Sequence, residues 1–214
     1  MTLSQRQFDF CFEKVERLGL SDRVRVELRD YRTVAADRLF DKIAQIELYE
    51  HIGSENHDRH FAFIHDLLRP RGLYLHHSMT RRLTRNPWKP LQTAGYQKFL
   101  GGFVIPGTSL DDIGATLARM ERNGFEVHDV ENWREHFLKT AELWEAGLRA
   151  NLSAAETEVG RARARLWLMF FSLFALGFER KACLIFQTLA SRRAIGPSGL
   201  PPTRADFYRQ GALS

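Results

Sequence analysis

The residues best placed to do chemistry are Glu47, Glu50 and His51, which follow the apolar run Ile43 to Ile46 in the stretch FDKIAQIELYEHIG from Phe40 to Gly53. So short and branched a run predicts a strand buried on both faces, with the polar cluster at its C-terminal end. Ligands of open α/β sheets sit at that edge. The same pattern also fits a solvated turn between a strand and a helix. A second predicted strand, Leu73 to Met79, carries His77 near its own C-terminal end, and residue type alone reads this as a satisfied core histidine. Asp30 follows the alternating segment Val24 to Leu28 (VRVEL). An acidic residue there either accepts hydrogen bonds from a nucleoside or closes a turn.

The elements that must position these groups alternate along the chain. Ser4 caps a predicted helix running to about Leu18 and ended by Gly19. His60 to Leu68 reads as a helix stopped by Pro70 and Gly72. From Ser109, residues Leu110, Ile113, Leu117 and Met120 recur at helical spacing, with Asp111 and Asp112 in the first turn and Gly124 after the last. Phe125 to Val130 reads as a strand. The helix from Glu131 to Leu148 carries Trp133, Phe137, Thr140, Trp144 and Leu148 along one stripe, and a second helix runs from Ser153 to about Phe178. Lys181 to Thr188 is the last strand. Such alternation predicts an α/β fold, a parallel sheet with helices on its faces.

Between Thr80 and Leu100 the pattern is irregular, and Arg81, Arg82, Arg85, Lys89 and Lys98 surround Trp88 and Tyr96. An insertion of this length serves as a lid or binding loop, or is merely solvated. Beyond Gly196 the prolines predict a flexible tail.

Composition narrows the class. With 214 residues and 44% hydrophobic content the chain can bury a core. Its net charge of +5 suits anionic surfaces, and lipid headgroups and nucleic acid both qualify. Cys11 and Cys183 show no disulfide framework and no metal spacing, so a reducing cytosol is expected. The N-terminal stretch lacks an exported protein's apolar core. The uncharged run Leu166 to Phe178 falls short of the ~20 residues that span a bilayer and predicts a buried helix.

Several blocks, in order, resemble cyclopropane fatty acid synthases, S-adenosylmethionine-dependent methyltransferases of lipid acyl chains. They are TLSQRQ from Thr2, GLSDRVRVELRDYR from Gly19, FDKIAQIELYEHIG, LLRPRGLYLHHSMT from Leu67, FVIPG from Phe103, NGFEVHDVENWREHFLKTAELW from Asn123, and GFERKACLIFQTLASRR from Gly177. The resemblance implies methyl or methylene transfer to the cis double bond of a phospholipid acyl chain, with bound bicarbonate as the base. It implies that Glu50, His77 and the backbone of Met79 hold the bicarbonate. Phe137 stands where the family has a Tyr, and Phe174 where a Cys is common, so ring closure is more in question than acyl-chain binding. Thr2 and Gln7 are implied near the ribose and methionine of the cofactor, and Asp30 and Tyr31 near its adenine. No metal is implied.

A methyltransferase sheet opens with a strand and a glycine-rich turn, which this sequence lacks: Gly101-Gly102 is misplaced, and Gly19, Gly53 and Gly72 are isolated. The resemblance therefore makes residues 1–193 the C-terminal part of such a domain, an incomplete Rossmann-like class I methyltransferase sheet lacking its first strand. Residues 80–105 form a basic, aromatic insertion, 131–178 a helical acyl-pocket region, and 194–214 the tail. The chain alone is expected to be inactive, and either poorly soluble or closed up by rearrangement; a truncated gene model, a partner supplying the missing half and a decayed copy each explain such a sequence. Its expected partners are acyl chains at the inner membrane face and no nucleic acid, from a cytoplasmic location. The alternatives are a non-catalytic lipid-binding or regulatory partner and a methyltransferase with another acceptor.

Overall fold

The computed structural model describes residues 1–35, 37, 39–83, 102 and 107–206, in two compact units, Met1–Leu39 and Phe40–Ser214. Most of the basic insertion, and the FVIPG block apart from Gly107, lie outside the described residues.

In the first unit, helix α1 spans Gln5–Arg17; the Ser4 side chain accepts from the Gln7 N–H, and Lys14 and Arg17 complement the dipole of the last turn. Gly19 follows in the left-handed region at φ 63. The strand expected from Val24 to Leu28 is reduced to one parallel bridge between Thr2 and Leu28. Val24 and Leu28 both stay 42% exposed, so the alternation has no buried face to hold it in a ladder.

The second unit holds a four-stranded sheet in the order β1-β2-β4-β3, formed by β1 (Phe40–Ile46), β2 (Leu68–Arg81), β3 (Phe125–Asn132) and β4 (Cys183–Arg192). β1 runs parallel to β2, whereas β4 runs antiparallel to both β2 and β3. The wholly parallel sheet expected from the alternation is thus corrected. The helices after β3 return the chain to the edge where β3 ended, and β4 can only run back. β1 is also not buried on both faces, because it lies at the sheet edge with Ile46 66% exposed.

Two apolar layers flank the sheet. Helix α2 (His57–Leu67) buries His57, His60, Phe61, Ile64 and Leu67, the i, i+3, i+4, i+7 spacing of a single face. With Tyr49, Tyr74, Met120 and Phe125 it forms one core. Fully burying a side chain such as Phe61 contributes roughly 2 kcal/mol. On the other face pack α4 (Arg134–Ala150) and α6 (Arg161–Glu179), around Ala141, Phe170, Phe174, Phe178 and Ile185.

Further expectations shift. Helix α3 begins at Ile113 and runs to Arg122, because Asp112 is its cap, accepting from the Ala115 N–H at 3.0 Å; Asp111 lies outside and serves a different contact. The helix expected from Ser153 to Phe178 breaks at Gly160, φ 84, into α5 (Leu152–Val159) and α6. The run Leu166 to Phe178 is half-buried: Phe170, Phe174 and Phe178 point inward, while Trp167, Met169 and Leu176 are exposed. In the part of the tail that is described, Arg204 pairs with Asp129.

Candidate active site

The end of β1 is fastened to β2 where Glu47 turns into the left-handed region (φ 51) and its N–H donates to the His77 carbonyl at 2.9 Å. A short 3-10 turn, Tyr49–His51, then carries Glu50 inward to 3% exposure, while Glu47 and His51 stay exposed. Glu50 Oε1 accepts from the Met79 N–H, and the Glu50 carbonyl accepts from the Ser109 N–H at 3.0 Å. Glu50 Oε2 is buried with no hydrogen-bond partner among the described residues. Burial pushes the Glu50 carboxyl up to about 7, against the opposing pull of the Met79 N–H. Near neutrality this group exists in both protonation states.

His77 is 4% exposed and faces Gln187 across the antiparallel β2–β4 pair. The Gln187 amide lies 3.1 Å from His77 Nδ1, and the Phe137 ring of α4 covers the imidazole at a centroid distance of 5.3 Å. His77 Nε2 is buried without a partner among the described residues, and burial lowers the imidazole's basicity. Glu50, His77, Met79 and Phe137 are therefore brought to one end of the β1–β2 pair. Two buried polar atoms there, Glu50 Oε2 and His77 Nε2, have no partner among the described residues. Gln187 escaped the sequence reading. Its signal was the register of β4 against β2, which no local pattern encodes.

The opposite face of β2 carries polar groups that the sequence reading also missed. Gln45 Oε1 accepts from Tyr74 OH at 2.5 Å and lies 3.0 Å from His60 Nε2 and 3.1 Å from His76 Nδ1. Ser78 Oγ closes the chain on His76 Nε2 at 2.9 Å. Alongside, Asp111 receives Tyr49 OH at 3.1 Å and His57 Nδ1 at 2.9 Å, and pairs with Arg119. The alternation Tyr74, His76, Ser78 in β2 and the spacing of His57 and His60 in α2 were the available signs.

Beyond Phe137 an aromatic column runs through Phe178, Phe174 and Phe170 to Trp167, with neighbouring ring centroids 4.7 to 5.9 Å apart. It ends at a groove of about 520 Å³ lined by Leu143, Trp144, Gly147, Leu148, Trp167 and Phe171. Trp144 lies two helical turns from Phe137, or ~10 Å along α4. It is 48% exposed, which places this half of the stripe at the surface.

The expected cofactor residues belong to the first unit. There Thr2 Oγ1 donates to Gln7 Oε1 at 2.6 Å. Asp30 caps the short turn Tyr31–Thr33, and both its carboxylate oxygens are engaged by Arg32, which holds it down to about 2. The parallel bridge directs Thr2 and Asp30 toward the same end of their two segments. These residues fit one side of a nucleoside site, provided that Arg32 yields an oxygen of Asp30. A glycine-rich turn of the kind that closes around S-adenosylmethionine is not found in these 214 residues.

A family model, mycolic acid cyclopropane synthetase, matches residues 1–188. A protein described as a "Probable fatty acid methyltransferase" of Pseudomonas putida is 30% identical over 210 residues, 98% of this chain and 52% of that protein. One of like description from Mycobacterium tuberculosis is 33% identical over 202 residues, 92% of this chain and 44% of its own length. The chain thus spans about half the length of the curated relatives it matches. Among solved structures, the mycolic acid cyclopropane synthase CmaA1 complexed with SAH and CTAB superimposes with a TM-score of 0.79 at 26% identity, covering 88% of this chain and 67% of that one. No helix among the described residues is long and apolar enough to cross a membrane. In sequence and in fold, the chain belongs to the mycolic acid cyclopropane synthetase family.

Proposed function

We propose that this chain carries the acceptor-side half of a lipid methyltransferase site, for one-carbon transfer to the cis double bond of a phospholipid acyl chain. The observation that carries the reading is the pair of buried, unpartnered atoms Glu50 Oε2 and His77 Nε2 at one end of the sheet. They fit a small anion such as bicarbonate. Glu50, with Oε1 on the Met79 N–H and a proton available near pH 7, presents Oε2 as a donor. His77, neutral and bonded at Nδ1, presents Nε2–H. When bound, S-adenosylmethionine would supply an electrophilic methyl group and bicarbonate a base. Asp30 and Tyr31 would face the adenosine, and Thr2 and Gln7 the ribose and methionine.

Phe137 keeps water from the imidazole but gives the anion no hydroxyl. We therefore expect a base held by two side chains and a product weighted toward methyl addition over ring closure. The relatives described as fatty acid methyltransferases agree with that weighting. The test is incubation with S-adenosylmethionine and unsaturated phospholipid vesicles, read by mass spectrometry of the acyl chains, with the missing glycine-rich segment supplied by fusion to the matching part of a relative. Glu50→Gln should abolish one-carbon addition while leaving cofactor affinity unchanged. Full activity of that variant would remove Glu50 from the site.

A second reading, a lipid-binding partner without catalysis, draws on the apolar groove and on Arg161 and Arg163, exposed at the start of α6 with no ion pair among the described residues. Vesicle sedimentation without turnover by the completed protein would favour it.

A further inference from the structure

We infer that Gln187 is a positioning residue that fixes the tautomer of His77. A neutral imidazole carries one donor and one acceptor, and a partner at one nitrogen decides the role of the other. Residues 77 and 187 are directly opposed in the antiparallel register, so their side chains leave the same face of the sheet. The Gln187 Nε2–H donates to His77 Nδ1 at 3.1 Å. The proton of the neutral ring must then sit on Nε2, the buried atom without a partner. Phe137 covers the ring with an apolar face.

The residue type matters as much as the contact. A carboxylate in place of Gln187 would demand a proton on Nδ1, which leaves Nε2 either as an acceptor that repels an anion or as one end of an imidazolium. A primary amide holds the ring neutral and keeps Nε2–H directed outward. The functional meaning of this arrangement rests on the anion-holding role proposed above, whereas the tautomer is a property of the chain itself.

The experiment is nitrogen-15 NMR of the histidine rings in the full 214-residue chain. In the native protein at neutral pH we expect His77 protonated on Nε2 and a scalar coupling between the Gln187 amide nitrogen and His77 Nδ1 across the hydrogen bond. Gln187→Glu should move the proton to Nδ1 and raise the His77 pKa by roughly one to three units, the usual effect of an adjacent opposite charge. Native His77 protonated on Nδ1 without that coupling overturns the inference, as does a folded Gln187→Glu protein with unchanged tautomer and pKa. Should that variant fail to fold, the native coupling decides alone. Adding carbon-13 bicarbonate separates the two ideas: a coupling present with no shift at Nε2 upholds the role of Gln187 and defeats the anion reading.

Discussion

His76 and His77 are adjacent in the chain and lie on opposite faces of β2, and their surroundings differ in kind. The His76 ring is bonded at both nitrogens, to Tyr74 and Gln45 at Nδ1 and to Ser78 at Nε2. His77 is bonded at Nδ1 and has no partner at Nε2 among the described residues, and Oε2 of Glu50, whose Oε1 is held by the Met79 N–H two residues along β2, has none either. Burying a polar group without a partner costs about 1–3 kcal/mol, and a protein keeps such a cost where the group has other work. The His76 side also holds buried atoms without a partner among the described residues, Gln45 Nε2, His57 Nε2 and Thr188 Oγ1; what sets the His77 side apart is that an open imidazole nitrogen and an open carboxyl oxygen share the end of one strand pair.

The contrast predicts opposite responses to pH. Burial lowers His60 to about 4 and His76 to about 3, against about 6.5 for an unfolded imidazole. Below pH 6.5 the unfolded chain takes up protons that the native layer refuses. Stability contributed above that pH is lost as the pH falls, by roughly 1.4 kcal/mol per unit for each histidine. In a Glu50→Gln background, which removes the opposing titration of Glu50 over the same range, urea unfolding at pH 6.5 and 4.5 should show a loss of about 4 kcal/mol, a large share of a small domain's margin. His60→Gln with His76→Gln should flatten that slope, and an unchanged slope would mean that the layer is not what acid attacks.

Glu50 works in the other direction. Its carboxyl titrates at about 7 in the native chain, against about 4.5 unfolded. Between those values the unfolded state gives up its proton first, so stability falls as the pH rises and the loss is complete above pH 7. The shift corresponds to roughly 3 kcal/mol. Glu50→Gln, neutral throughout and still able to accept from the Met79 N–H, should be more stable than the native protein by about that amount at pH 8 and indistinguishable below pH 4.5. Equal stability at pH 8 would show that the buried carboxyl carries no such cost. A variant that gains stability and loses transfer would mark the cost as functional.

Phe137→Tyr should hardly move stability, by less than about 1 kcal/mol, because the ring already packs on His77 and only a hydroxyl is added. Its effect belongs in the product. In an active fused protein, the fraction of cyclopropane over methyl-branched chains should rise, and an unaltered ratio would mean that the anion needs no third donor.

The sequence reading went furthest where spacing is local. The Ser4 cap, the Gly19 stop, the helix ended before Pro70 and the polar cluster after β1 follow from short-range rules, and the block order identified the family. Gln187 and the Gln45 layer were hidden because both depend on strand register, which couples residues far apart in the chain. The direction of β4 was missed because the returning helices, and not any pattern in β4, decide it. Ile46 misled for a related reason: its branching reads as buried, yet the sheet order leaves it outside.

β1 has one strand neighbour among the described residues, so the outer row of its main-chain donors and acceptors faces away from the sheet. The two halves of that margin are unlike. Asp41 and Lys42 place exposed charges on the first half, which discourages docking by another chain, whereas Ala44 and Ile46 leave the second half bare and greasy. Any incoming extended segment would thus be steered to the last residues of β1, next to the turn that holds Glu50. Self-association at high concentration and complementation by an added strand should compete for the same few peptide groups.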